Sequence, residues 1–390
     1  MKKFCTFLIV LLLVMWWTTG PVSAETAEEL VKEQLERLDL QEIESFWENI
    51  QEETREYLPE ITWQNILAWF RPQEGQGLSF SGILKGLWRF LWRELYLNLN
   101  LLAKLLFLAV VAALLKNLEK AFANESIANL TQSVVYLVLV TIAMQSFAVA
   151  VGLGRKAIDT MVELILALVP LLLALLASLG SLASAAIFRP IIVFAVNFFA
   201  ALTRDAIFPL IFLATILSIV NYFSPRITVS KLADLFKNVS VWGMGLTMTI
   251  FTGLLSIYGV ASSVGDAISI RTAKFATSTF VPVVGGFLAD AVETVAGATL
   301  ILKNTVHIAG VLMLFYIVIF PLIKILVIVF VYKLAAALIQ PLGESNLCDS
   351  LNTMANCLSL IFAAVAIVSL IFYLAITIIA GAGNASFMLR

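Results

Sequence analysis

Charge is what this sequence has least of. Asp, Glu, Lys and Arg make up 13% of it, where a soluble domain carries roughly a quarter. With 61% hydrophobic residues and a mean hydropathy of +0.97, a water-facing globular body is excluded, and a chain that crosses a bilayer several times is expected. Histidine occurs once, as His307, which excludes HExxH and any metal site built on paired imidazoles. There is no GxxxxGK[ST] loop to cradle a nucleotide and no GxSxG elbow to raise a nucleophile. These gaps leave no catalytic residue, no metal ligand set and no cofactor site to name. The expectation is a protein that is not an enzyme, needs no cofactor and binds no nucleic acid.

Cysteine is scarce as well. Cys5 sits in the leader, so Cys348 and Cys357 are left, nine residues apart in apolar surroundings. That setting suits inert packing residues better than a disulfide or metal pair.

The little charge present is unevenly placed. Between Glu25 and Glu60 there are 13 acids against 3 bases, and from Ile61 onward 20 bases against 13 acids. The split predicts a solvated acidic head and a membrane body held by basic flanks. Ahead of the head, Lys2 and Lys3 precede the apolar run from Phe4 to Trp17, and Val22-Ser23-Ala24 offers small residues at a cleavage position. This reads as a cleaved signal peptide over 1–24, with an uncleaved signal anchor as the alternative. In the head, 25–60, Leu35, Leu38, Phe46 and Ile50 recur at near-helical spacing up to Pro59. It is either a solvated amphipathic helix or a docking face for a partner outside the cytoplasm.

Residues 61–99 read as a loop followed by an interfacial helix. Lys85, Arg89 and Arg93 form one basic stripe at i, i+4, i+8, while Leu84, Trp88, Leu91, Trp92 and Leu95 cover the other side. Basic residues opposite tryptophans suit the headgroup layer, and this helix leads into the first span, Leu101–Leu115. Further apolar stretches follow at Val134–Gly152, Met161–Phe188, Pro190–Phe223, Val241–Val264, 280–304, Val306–Ile339 and Leu358–Ala380, seven or eight membrane segments in all. Arg155/Lys156, Arg226/Lys231/Lys237 and Arg271/Lys274 are read as basic loops. Arg204-Asp205, inside Pro190–Phe223, is either an internal ion pair or, the favoured reading, a polar break between two short helices.

The chain also resembles itself. Ile-Phe-Pro-Leu-Ile occurs at 207–211 and again at 319–323, an offset of 112, and Val169-Pro170 matches Val281-Pro282 at the same offset. Ser230-Lys-Leu-Ala-Asp234 faces Ser345-Asn-Leu-Cys-Asp349 at an offset of 115. The expected architecture is an all-α polytopic membrane bundle: two helices in 100–156, a repeat over 157–266 and 269–380, and a tail over 381–390. Three crossings per copy would make the copies inverted, an arrangement of many transporters; an even number would make them parallel.

One segment stands out. "FVPVVGGFLADAVETVAG" aligns with "LVPLLLALLASLGSLASA" of the first copy, an ordinary apolar segment in which Ser178 and Ser181 stand opposite Asp290 and Glu293. Gly286, Asp290, Glu293 and Gly297 are spaced 4, 3 and 4, so they share one helical face. Carboxylates at membrane depth face a bundle interior or a wet cavity, and glycines admit a close neighbour. The face is therefore the candidate lining of an aqueous path or of a subunit contact. The competing reading keeps both carboxylates in the headgroup layer.

The stretch "FVPVVGGFLADAVETVAGATLILKN", with "IFPLIKILVIVFVYKLAAALIQPLG" and the terminal "AGAGNASFMLR", resembles the stage III sporulation protein AE family of endospore-forming bacteria. The resemblance covers essentially the whole chain and is strongest from about Arg271 to Arg390. It implies membership in an assembly joining mother cell and engulfed forespore, in the mother cell's outer forespore membrane. The implied partners are other stage III membrane proteins, a secretion-type ATPase and ring-forming proteins of the intermembrane space. The function expected on that basis is the membrane core of a secretion or channel complex that supports forespore development. A structural scaffold of the same complex and a stand-alone inverted-repeat secondary transporter are the alternatives.

Overall fold

The computed structural model describes residues 48, 57, 80–122, 125–223, 229–280 and 285–388; within the helices, side chains are described for 81–115, 134–222, 229–259, 265, 266, 268 and 295–382. The expected signal peptide over 1–24, and the acidic head apart from Glu48 and Tyr57, lie outside the described residues. Among those residues the chain is all-helical. The rods are α1 (Phe80–Phe122), α2 (Glu125–Ser178), α3 (Leu182–Ala201), a π-turn (Leu202–Ile207), α4 (Phe208–Phe223), α5 (Ser230–Phe280), α6 (Gly285–Ile339) and α7 (Ser345–Met388), with a 3₁₀ turn at Gln340–Leu342. Six apolar stretches among them are long enough to cross a membrane.

Helix is the physical consequence of this composition, because lipid offers no partner for a free N–H or C=O. The hydroxyls scattered along the rods follow the same rule. Thr141, Ser178, Thr215, Ser218 and Thr247 each donate to the carbonyl four residues back, so these polar side chains are satisfied within their own rod.

The rods are fewer and longer than the apolar stretches suggested. Val134–Gly152 and Met161–Phe188 were expected as separate spans around a basic loop at Arg155/Lys156. Instead α2 runs unbroken through both the loop and Pro170. Gly152 and Gly154 each cost a helix only about 1 kcal/mol relative to Ala. Gly154 is moreover a packing position, because a Cβ there would stand 3.1 Å from Phe208 and 3.2 Å from Val365. The real break comes at Gly180, whose φ of 83° is left-handed. Gly180 N–H donates to the Ala177 carbonyl and Ser181 N–H to that of Leu176, the paired closure of a glycine-terminated helix. Likewise 280–304 is not a span of its own, since α6 carries the chain from Gly285 through Pro321 to Ile339 without interruption.

Buried hydroxyls register the rods. Tyr136 of α2 donates to the Ile219 carbonyl of α4 (3.2 Å) and bonds Ser350 of α7 at 2.7 Å. Tyr222 of α4 meets Thr353 of α7 at 3.1 Å, and Tyr332 of α6 donates to the Ala143 carbonyl of α2 at 2.7 Å. These contacts gather the start of α7, the end of α4 and the end of α6 at one end of the bundle. At the other end Ser184 of α3 meets Asp266 of α5, Gly259 of α5 lies against Ile378 of α7, and Lys303 of α6 reaches Ala380 of α7. In consequence α2, α5 and α7 run one way, and α3–α4 and α6 the other. α1 flanks the bundle against α2 and α6, its Phe90 ring 4.7 Å from that of Phe320.

Candidate functional site

α6 carries the candidate face. Its backbone is helical through Gly286, Asp290, Glu293 and Gly297, which keeps the four on one side; the first three side chains lie outside the described residues. Gly297 is half-buried, and a Cβ built there meets nothing within 4 Å. The face is open at that point. At about 100° per residue, Asn304 and His307 fall on the same side as Glu293, and both are half-buried. His307 Nε2 is buried and has no hydrogen-bond partner among the described residues. Thr299 and Thr305 nearby satisfy themselves on the carbonyls of Val295 and Ile301.

Lys303, one turn before His307, was not singled out from the sequence. It is 1% exposed, and its Nζ donates to the Ala380 carbonyl at 2.6 Å. A buried ammonium persists only where oxygens receive its protons, and the end of α7 supplies one. The available signal was a Lys-Asn pair inside "TLILKNTVHIAG", where no acid lies close in sequence. By contrast, Lys324 is half-buried and Lys333 exposed.

A second polar cluster lies where α2 passes the π-turn. Arg204 Nε and Nη2 bind the two carboxylate oxygens of Asp205 at 2.8 and 2.9 Å, while Nη1 reaches Asp159 of α2 at 2.6 Å. The three side chains are 37%, 58% and 46% exposed, respectively. The expected polar break at Arg204-Asp205 is therefore corrected: the rod continues. The chain takes up one wide π-turn, with Phe208 N–H donating to the Thr203 carbonyl. Such bulges rotate the downstream helix and recur at functional positions. Asp159 was missed because its partner lies 45 residues away.

Lys85, Arg89 and Arg93 are all exposed, on the outward face of the first turns of α1 rather than on a separate helix. Arg93 sits 5.5 Å over the Tyr57 ring, and Tyr57 packs edge-on against Phe90 at 5.1 Å. Cys348 and Cys357 are free thiols, the latter buried. Among the described residues no three His, Cys, Asp or Glu side chains come together. The shallow depression bordered by Arg189, Phe194 and Phe198 is walled by α3 alone.

The family model for stage III sporulation protein AE matches residues 63–383. The chain belongs to that family. It is 41% identical over 373 residues to the stage III sporulation protein AE of Bacillus subtilis (strain 168), a match covering 94% of this chain and 92% of the relative. No solved structure matches it. The matched region contains all seven rods up to the last turn of α7. The polar face of α6 and the ion-pair cluster both lie within the matched region.

Proposed function

We propose that this protein is the membrane core of a complex joining mother cell and forespore, and that the polar face of α6 borders its aqueous path. The observation that carries the reading is the openness of that face. Among the described residues, Gly297 has no neighbour where a side chain would stand, and His307 holds a buried nitrogen with no partner. An unsatisfied buried polar atom is costly unless water or another subunit completes it. Asp290 and Glu293 lie one to two turns before Gly297 on the same side, which gives the path a cation-favouring mouth.

On this reading the protein sits in the mother cell's outer forespore membrane, and the acidic head stands in the intermembrane space. There its excess of acids offers a docking surface to ring-forming proteins, while a secretion-type ATPase engages the cytoplasmic side. The absence of catalytic motifs from the sequence agrees with a structural and conducting role, in which energy comes from a partner.

The test is made in sporulating cells. Asp290→Asn with Glu293→Gln is expected to reduce late forespore gene expression while the protein still accumulates and assembles. A Gly297→Cys variant is expected to react with a membrane-impermeant maleimide. If forespore expression is normal and Gly297→Cys reacts only with lipid-soluble reagents, the path is refuted. The scaffold reading would then stand.

A further inference from the structure

The rods are too tall for one bilayer. The described membrane-candidate length of α2 is 45 residues, and that of α6 with its 3₁₀ turn is 48, or about 68 and 72 Å at 1.5 Å per residue. The hydrocarbon core is about 30 Å thick. Fitting α2 inside it would require a tilt of roughly 64°, against the 0–40° that membrane helices adopt.

The described tryptophans show where the boundary lies. Trp88, Trp92 and Trp242 are 61%, 51% and 75% exposed, and they sit at one height although they come from opposite sides of the bundle. Trp242 is next to Gly243, which lies 3.8 Å from Ile207 at the end of the π-turn. Trp88 and Trp92 flank Phe90, which packs on Phe320. Phe320 lies between Gly310, beside Leu168, and Tyr332, bonded to Ala143, so it stands level with residues 155–159 of α2. That turn holds exposed Arg155 and Lys156 and Asp159, which pairs with Arg204 of the π-turn. Exposed tryptophans and charges from α1, α2, the π-turn and α5 thus form a girdle at mid-height.

We propose that this girdle is a lipid-contact surface whose partner is the phosphate and glycerol layer of one leaflet. Tryptophan is the side chain that favours that layer, and the arginine and lysine heads there meet lipid phosphate. Hydrocarbon then covers only one half of the body, either from the girdle to the Leu179–Ser181 turn or from the girdle to the start of α7. The other half stands outside the acyl chains. The inference is independent of whether the polar face of α6 conducts.

The test uses the full chain, with Cys5, Cys348 and Cys357 replaced by Ser, in phosphatidylethanolamine–phosphatidylglycerol vesicles. Nitroxides are placed singly at Trp88 and Trp242 in the girdle, at Phe107 and Val149 on one side, and at Phe194 and Ile257 on the other. All six positions are exposed, and each zone has two, so the failure of one variant leaves the profile readable. Collision with oxygen and with a water-soluble nickel chelate reports depth. The expected profile has headgroup depth at both girdle sites and a several-fold higher oxygen-to-nickel ratio in one flanking pair only. Acyl-chain depth in both pairs, in neither, or deepest at the girdle itself would overturn the proposal.

Discussion

Asp266 offers the sharpest test of how the bundle is held. α3 begins just after Ser181, and its first-turn N–H groups need acceptors. The acceptor comes from α5: Asp266, 0% exposed, takes the Ser184 N–H at 3.2 Å and the Ser184 hydroxyl as well. Its negative charge also lies at the positive end of the α3 dipole. Hydrogen bonds to a charged group contribute about 1.5–3 kcal/mol each. Asp266→Ala removes two such bonds and leaves two buried donors, so about 3 kcal/mol of stability should be lost. Asp266→Asn keeps an acceptor for the N–H and a donor for the hydroxyl, and should lose only about 1 kcal/mol. Ser184→Ala should fall between them, and the double variant should show strong coupling, because the two side chains share one interaction. Reversible unfolding in mixed micelles, followed by far-UV circular dichroism, measures all four variants. An Asp266→Ala loss below about 1 kcal/mol, or additive single variants, would show that this carboxylate does not hold α3 to α5.

Tyr332→Phe removes the hydroxyl that ties α6 to the Ala143 carbonyl of α2; a loss of about 1–1.5 kcal/mol is expected in the same unfolding assay. Gly154→Leu drives a side chain into Phe208 and Val365 and should cost about 1–3 kcal/mol or more, whereas a leucine at Gly245, where nothing lies within 4 Å, should be nearly neutral. Asp159→Asn removes the charge from the α2 partner, keeping only a neutral acceptor for Nη1, and leaves Arg204 its contact with Asp205. It should therefore cost less than Arg204→Gln, compared by thermal inactivation in vesicles. Cys357, fully buried, should resist maleimide until the protein is unfolded in detergent, while Cys348 labels slowly in the native state.

What the sequence made legible was the class of element, and what it hid was how elements join. Low charge and long apolar runs announced membrane helices because composition alone sets that outcome. Arg155-Lys156 looked like a loop because the sequence does not show that Phe208 and Val365 pack against nearby Gly154, or that Arg204 stands opposite Asp159. The end of α2 was hidden for the converse reason: Gly180 sits among leucines and serines, and only its left-handed backbone marks a stop. The polar face was visible at Gly286, Asp290, Glu293 and Gly297, where spacing alone places residues. Its continuation to Asn304 and His307, and the burial of Lys303 under Ala380, depend on the packing of α6 against α7.

Direction distinguishes the two ways in which the self-similar regions could be related. Both Ser-x-Leu-x-Asp boxes open a rod, Ser230 starting α5 and Ser345 starting α7. Both Ile-Phe-Pro-Leu-Ile strings fall within the rod before, at the π-turn–α4 junction and in the middle of α6. α5 and α7 run the same way, as the nearness of Ser184 to Asp266 and of Gly259 to Ile378 requires. α3–α4 and α6 run together in the opposite sense, each ending where Tyr136 gathers Ile219 and Ser350. Inverted copies would place corresponding rods antiparallel across an in-plane axis. Here they are parallel, so if the matches record a duplication, its copies are related by an axis along the rods. That geometry takes away the inverted symmetry on which a stand-alone alternating-access transporter was suggested. It leaves a body with both box-bearing ends on one side of the girdle, Asp234 and Asp349 both exposed there. A body built this way has one polar end, which favours the proposed fixed place in a larger assembly over rocking between two states.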